Sequence, residues 1–374
     1  MILGADWVVP VDGPPIADGR VEIADGLIVR LGQGGPADES FPNSLILPGL
    51  VNAHSHLEYA RMSGFGDGKP FTPWIEEHIR RKAALDHPAD SLVQAIDGAR
   101  ACLAGGITTI ADCCYAGTVA DAAVATGLRA IVYVEGFSDW PNLTERVEAT
   151  LDRLPDSPLV TAGVSPHAPF TVTREDYERL IAIARRRGLP VATHILESQR
   201  ETLHLDEFQD LLGPDTVLIH GVFLSPHDIA TAAELDLPVI HCPRSNALLG
   251  CGIAPVRELL DAGLRVGLGT DSPASAMVFD MWEEMRFAVM AARAIGLGDR
   301  VGALAAGMAA DLTVLDLTGS PFLPWDDPVV AAVFGGTPNR VAISLVNGEI
   351  RYRRGESMPT TVEADAVRAK MLLA

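Results

Sequence analysis

Leu47-Pro48-Gly49-Leu50-Val51-Asn52-Ala53-His54-Ser55-His56 reads as a buried apolar strand that ends in two imidazoles one residue apart. In an extended chain alternate side chains share a face, so His54 and His56 point the same way and stand close enough to hold one metal ion. Outward from this run, between Ser44 and Ser275, one pattern returns: a short apolar run, a polar residue of chemical interest, then a helical stretch. The runs are Leu45–Ala53, Ile107–Cys113, Arg129–Glu135, Val160–Val164, Pro190–Thr193, Thr216–Ile219, Pro238–Ile240 and Arg265–Gly269, eight in all. Arg174–Arg187 is one of the helices between them, with Tyr177, Leu180, Ile181 and Ile183 on a helical period and Gly188-Leu189-Pro190 ending it. Eight strands alternating with helices predict an α/β fold, a (β/α)8 TIM barrel. A doubly wound open sheet is the rival, but no Gly-x-Gly-x-x-Gly turn follows the first strand.

The two ends differ. Met1–Gly32 reads as short strands with turns at Asp12-Gly13-Pro14-Pro15, Asp18-Gly19 and Asp25-Gly26. Ala310–Asp316, Arg340–Val346 and Glu349–Arg353 are similar, with Asn347-Gly348 as a hairpin turn. A small β-sandwich domain assembled from both termini is expected, over residues 1–47 and 303–374, with the barrel over 48–302 and a terminal helix at Thr361–Ala374.

In such barrels functional groups sit just past the C-terminal ends of the strands. Strand 1 ends in His54 and His56, strand 4 in Ser165-Pro166-His167, and strand 5 in Thr193-His194-Ile195-Leu196-Glu197. Strands 6, 7 and 8 end in His220, His241 and Thr270-Asp271-Ser272. Most of the ten histidines fall at these positions, which predicts a convergent metal site. His54, His56, His194 and Asp271 supply three imidazoles and a carboxylate, a set suited to zinc with room for water. The metal would lower the pKa of that water toward 7 and give a hydroxide nucleophile. Asp271 can accept the water proton, and His220 is placed to orient the nucleophile. His241 shares the rim, with a structural role equally open. Glu197 either caps the next helix or protonates the ring nitrogen of a heteroaromatic amine and passes protons to departing ammonia.

Absences narrow the chemistry. The lysines are Lys69, Lys82 and Lys370, none at a strand end, so no carbamylated lysine bridges two metals and one metal is expected. No Cys-x-x-Cys exists, which excludes the cysteine-based zinc deaminases. Five cysteines, two of them adjacent, do not read as a disulfide framework and suggest buried thiols in a reducing cytoplasm. The net charge of −20 argues against nucleic acid or an anionic membrane as partner. Met1–Pro10 lacks the features of a signal peptide, and no run offers the roughly 18 apolar residues of a membrane helix. The expected partner is a small-molecule substrate, with a homo-oligomer allowed.

Together these motifs resemble the amidohydrolase superfamily, in its cytosine deaminase and chlorohydrolase-like branch. The resemblance rests on Leu47–His56, His194-x-x-Glu197, His220 and Leu268-Gly269-Thr270-Asp271-Ser272, with Gly307–Leu312 similar to the family's return into the β-domain. It implies an aminohydrolase with one zinc or ferrous ion held by His54, His56, His194 and Asp271. His56-Leu57-Glu58, Phe71–Ile75, Ser165–Phe170 and Cys242-Pro243-Arg244-Ser245-Asn246 look like the aminodeoxyfutalosine deaminases of menaquinone biosynthesis, which act on an adenine nucleoside bearing a benzoate. That resemblance marks Trp74 and His167 as substrate contacts and offers Arg244 or Ser138 to a substrate carboxylate. Deaminases of S-adenosylhomocysteine and methylthioadenosine are the alternative, although Thr72 and Pro73 stand where those usually carry a glutamate for the ribose hydroxyls. Other chlorohydrolase-like hydrolysis and a non-catalytic scaffold complete the alternatives. In one departure, the chain passes from Met290–Arg293 almost directly to Gly298–Gly302, so about one helix of the family pattern is missing.

Overall fold

The computed structural model describes residues 1–82, 88–294, 309–356 and 362–373. The chain opens with β1 (Ile2–Val8), β2 (Ile16–Ala24), β3 (Leu27–Gln33) and β4 (Glu39–Pro48). It then enters β5 (Leu50–Ser55), β6 (Ile107–Cys114), β7 (Arg129–Gly136), β8 (Val160–Pro166), β9 (Val191–Ile195), β10 (Thr216–His220), β11 (Val239–His241) and β12 (Val266–Leu268). It returns through β13 (Leu312–Asp316), β14 (Val341–Val346) and β15 (Glu349–Arg353).

Strands β5 to β12 form one parallel sheet in sequential order, with helices on its outer side, as the alternating pattern predicts. The sheet closes where the Asp271 N–H donates to the His54 carbonyl at 3.0 Å, beside a parallel bridge between Ser55 and Asp271. Gly269 allows this approach, because a Cβ there would lie 2.6 Å from the His54 Cβ. The closure thus brings the first and last strand ends, and the site residues on them, into contact.

The stretch Leu45–Ala53 is two strands rather than one. Up to Pro48 it belongs to the terminal sheet, and from Leu50 it belongs to the barrel. Gly49 is the pivot: its N–H donates to the Asp311 carbonyl at 2.9 Å, and a Cβ would fall 1.9 Å from the Thr108 hydroxyl. Leu45, Ile46 and Leu47 are buried and Leu50, Val51 and Ala53 less so, yet both halves are apolar, so the sequence carries no break between them.

The termini build one hydrogen-bonded sheet of seven strands, in the order β15-β14-β13-β4-β1-β2-β3. The expected sandwich takes the form of this single sheet bent over, so that Leu3, Val21, Ile23 and Ile28 share a core with Leu312, Val314, Ile343 and Leu345. The turns Asp25-Gly26 and Asn347-Gly348 have positive φ at both residues, as two-residue hairpins require. They meet at Ala310, which donates to Gly26 and accepts from Gly348, each at 2.9 Å.

Helix Arg174–Arg187 buries the predicted Tyr177, Leu180, Ile181 and Ile183, with Thr173 capping its start and Gly188 (φ +66°) ending it. A last helix covers Val362–Leu373. Helix Met281–Ala294 precedes the point where a family helix is expected to be missing, and residues 295–308 lie outside the described residues. Among the described residues, no helix is long and apolar enough to cross a membrane.

Candidate active site

His54 and His56 leave the end of β5 on one face, their rings 4.8 Å apart. Neighbours hold this strand end rigid. Asn52 exchanges two hydrogen bonds with Thr270, at 2.8 and 2.9 Å, and so ties β5 to the chain after β12. The buried Asp112 carboxylate accepts from Ser55 Oγ (2.7 Å) and the Leu57 N–H (2.8 Å), fixing the turn that aims His56. His56 Nδ1 donates to the Cys113 carbonyl at 2.7 Å, and His194 Nδ1 donates to the His167 carbonyl at 2.9 Å. In each ring Nε2 is thereby left with its lone pair toward the centre, the arrangement of a metal-ligating imidazole.

The Asp271 carboxylate lies opposite. Oδ1 is 3.6 Å from Nε2 of both His54 and His56 and accepts from the Ser272 N–H at 2.7 Å. Oδ2 accepts from Ser245 Oγ at 2.7 Å and Ser275 Oγ at 2.6 Å. Burial works to raise its pKa, but His54, His56 and His220 outweigh that and hold the carboxyl well below the ordinary range. The donor set fits a divalent metal. Both ring nitrogens of His54 are buried without a hydrogen-bond partner. His54, His220 and Asp271 bring ligand atoms within 4.8 Å of one another, as do His54, Cys113 and His194. Cys113 is the weakest donor, because burial, Glu135 and Asp112 push its thiol well up and keep it protonated.

Glu197 follows His194 beyond the end of β9 and is buried. Burial, reinforced by the charges of Asp271 and Glu201, raises its pKa well above the ordinary carboxylate range. Its Oε2 is 3.6 Å from His220 Nε2. The Asn246 amide meets His220 Nδ1 at 3.1 Å, and in this orientation it donates and leaves the ring proton on Nε2. Burial lowers the His220 pKa to about 3, so the ring is neutral. The backbone of Leu196 (φ +49°), His220 (φ +72°) and Asp271 (φ +59°) is left-handed where each strand gives way to its loop. Each such residue costs about 1–3 kcal/mol, and the surrounding hydrogen bonds hold the strain. At Leu196 the holder is Glu201, whose carboxylate accepts from the N–H groups of Leu196 (2.8 Å), Glu197 (2.8 Å) and Ser198 (3.1 Å).

The structure thus brings His54, His56, His194, His220, Glu197 and Asp271 to one centre. His167 adjoins them, its ring 4.8 Å from His194 and stacked on Phe137 at 4.6 Å. Trp74 is buried, donates Nε1–H to the Ala274 carbonyl at 3.1 Å and stacks on His78. Ser138 and Arg244 are not presented to the site. The Ser138 hydroxyl donates to Asp176 and accepts from the Thr173 N–H, locking the start of helix Arg174–Arg187. Arg244 is spent on Glu283, Glu284 and the carbonyls of Ala276 and Asp280. His241 is buried and neutral, its pKa lowered by burial to about 4. Glu58 accepts from the backbone N–H groups of Tyr115, Ala116 and Thr118 and from the Thr118 hydroxyl, so it builds the loop after β6. Glu201, Asn246, Ser245 and Ser275 are site residues that the sequence reading did not assign. The recurrence of serine beside Asp271 and the position of Glu201 four residues after Glu197 are the signals that carry them.

Known proteins are similar to this chain in sequence and fold. Residues 45–351 match the family model described as the amidohydrolase family. A 5-methylthioadenosine/S-adenosylhomocysteine deaminase of Pyrococcus furiosus is 30% identical, with 100% of this chain and 99% of that one covered. The zinc-bound adenosine deaminase of Xanthomonas campestris superposes with a TM-score of 0.88 at 24% identity, over 100% of this chain and 98% of that one. The aminofutalosine deaminase of Helicobacter pylori, in complex with methylthio-coformycin, gives 0.78 at 20% identity, over 93% of this chain and 99% of that one. The chain therefore belongs to the amidohydrolase family and is a hydrolase acting on C–N bonds.

Proposed function

We propose that the protein removes the exocyclic amine of an adenine nucleoside by hydrolysis, with a single divalent metal held by His54, His56, His194 and Asp271. Three imidazoles and a carboxylate favour zinc. The metal supplies Lewis acidity and an acidified water, which displacement of an amine needs. The chain's own groups do the rest. Asp271, kept ionised, accepts the proton of the attacking water. His220 donates its Nε2–H to that water and orients it. Glu197, whose pKa burial raises, donates its proton to the ring nitrogen beside the amine-bearing carbon; when the adduct collapses it takes the proton of the new hydroxyl and hands it to the departing ammonia, and the proton held by Asp271 restores it.

One observation carries the reading: two buried carboxylates share a centre, and their surroundings displace their pKa values in opposite directions. Such a pair divides into acid and base. A 5′-modified adenosine of the methylthioadenosine/S-adenosylhomocysteine kind is the preferred substrate, in line with the name of the Pyrococcus relative. Aminodeoxyfutalosine, and with it menaquinone biosynthesis, stands second. Its benzoate needs a cation or hydroxyl donor, and Ser138 and Arg244 are committed elsewhere. Five free, buried cysteines suit a reducing cytoplasm.

Ammonia release from adenosine, methylthioadenosine, S-adenosylhomocysteine and aminodeoxyfutalosine, measured beside metal content, tests the reading. Ammonia from at least one of the four with about one metal per chain is expected. A metal-free or inert protein overturns the proposal.

A further inference from the structure

Five carboxylates around the centre are buried, and four have a visible employment. Glu58 and Asp271 are saturated by hydroxyl and N–H donors, Asp112 takes Ser55 Oγ and the Leu57 N–H on Oδ2, and Glu197 is the acid. Glu135 is the exception. It ends β7, is 1% exposed, and its Oε1 has no hydrogen-bond partner. One of its oxygens lies within 4.8 Å of a ring nitrogen of both His167 and His194. His167 Nδ1 is taken by Thr171 Oγ1 at 2.7 Å, which leaves Nε2 as its other polar atom. A buried carboxyl oxygen without a donor is costly, and a ligand that brings a donor relieves that cost.

Lys82 stands beside it. Its ammonium sits over the rings of Tyr115 (3.9 Å), Phe137 (5.0 Å) and Tyr59 (5.7 Å). Among the described residues no carboxylate makes an ion pair with it, and the charge of Glu135 acts on it from a distance. The cage therefore compensates the charge of Glu135 without filling its lone pairs.

We infer that Glu135 receives the sugar of the substrate, its two oxygens accepting hydrogen bonds from a pair of vicinal hydroxyls. The inference rests on the adenine-nucleoside reading. In such a molecule the exocyclic amine must lie at the reaction centre, and the other donors are the sugar hydroxyls. Vicinal hydroxyls match the two oxygens of one carboxylate, and Lys82 balances its charge.

The test compares adenosine with 2′,3′-dideoxyadenosine on the metal-loaded enzyme, in the wild type and in Glu135→Gln and Glu135→Asp. A hydrogen bond to a charged group predicts that removing the hydroxyls lowers wild-type kcat/KM on the order of 10- to 100-fold. Glu135→Gln should lose a similar factor on adenosine, mainly through KM, and show little further loss on the dideoxynucleoside. Glu135→Asp should recover part of the discrimination, and both variants should keep full metal content. Equal kcat/KM for the two nucleosides in the wild type overturns the assignment while leaving deamination standing. So does discrimination unchanged in Glu135→Gln. Loss of metal from Glu135→Gln overturns it in favour of a ligand role. No ammonia from either nucleoside, nor from the wider panel, overturns the deaminase reading and this assignment together.

Discussion

Glu197 and Asp271 are chemically near-identical groups made into opposites by their neighbours. Asp271 accepts three hydrogen bonds and faces imidazoles; Glu197 has burial and two like charges around it. Glu197→Gln should keep the metal and lower kcat by about 10²–10⁴, the usual share of a proton donor. Metal analysis and ammonia release on one preparation check it, and unchanged turnover removes Glu197 from the mechanism. His194→Ala should lose the metal, and full occupancy in that variant contradicts its place as a ligand. Much of this centre is legible in the sequence, because polar residues that end apolar runs converge once the barrel is recognised. Glu201 is not, since a carboxylate that serves backbone N–H groups has no partner residue to reveal it. Ser138 and Arg244 illustrate the converse: a polar side chain states what it can bind, and the fold decides what it meets.

At the scale of elements, the short helix Pro243–Leu248 couples the two groups proposed to act on the attacking water. Ser245 holds Asp271 and Asn246 holds His220, so its placement governs both. Arg244 pins its first turn to the carbonyls of Ala276 and Asp280 and to helix Met281–Ala294 through Glu283 and Glu284. Glu284 is fully buried; burial raises its pKa to about 8 even though the Arg244 guanidinium, 3.3 Å away, pulls it down. A carboxyl that is protonated when folded and ionised when unfolded stabilises fully below the ordinary value of 4.5 and loses that contribution as pH rises through 8. Wild-type stability should therefore fall relative to Glu284→Gln between pH 5 and 8, by about 1.4 kcal/mol per pH unit at most, and level off above. Denaturant midpoints of both proteins at unit pH steps check this. A difference that does not change with pH contradicts it.

At the scale of the molecule, the barrel and the terminal sheet share a seam instead of a linker. The eight strands are legible as alternating runs, but the seam is hidden, because Leu45–Ala53 is apolar on both sides of Gly49. Across it Thr313 Oγ1 donates to the Gly106 carbonyl at 2.9 Å and Ser344 Oγ to the Leu103 carbonyl at 2.8 Å, while on the barrel side Trp282 Nε1 donates to the Gly105 carbonyl at 2.9 Å. Trp282 is buried among Leu45, Leu47, Leu315 and Val341, so apolar packing continues where the hydrogen bonds stop. Asp311 is the node: its carboxylate takes Arg129 of β7 through Nε at 2.7 Å and the Asn347 N–H at 2.8 Å, while its carbonyl holds Gly49. Removing it strands a half-buried guanidinium and an N–H donor, which should cost about 2–4 kcal/mol. If the seam makes one cooperative unit of the two sheets, Asp311→Ala lowers the temperature of a single calorimetric transition, and metal is released in that same transition. Two separated transitions, with the metal leaving only in the later one, would show that the barrel keeps its site without the terminal sheet and that the seam is packing alone.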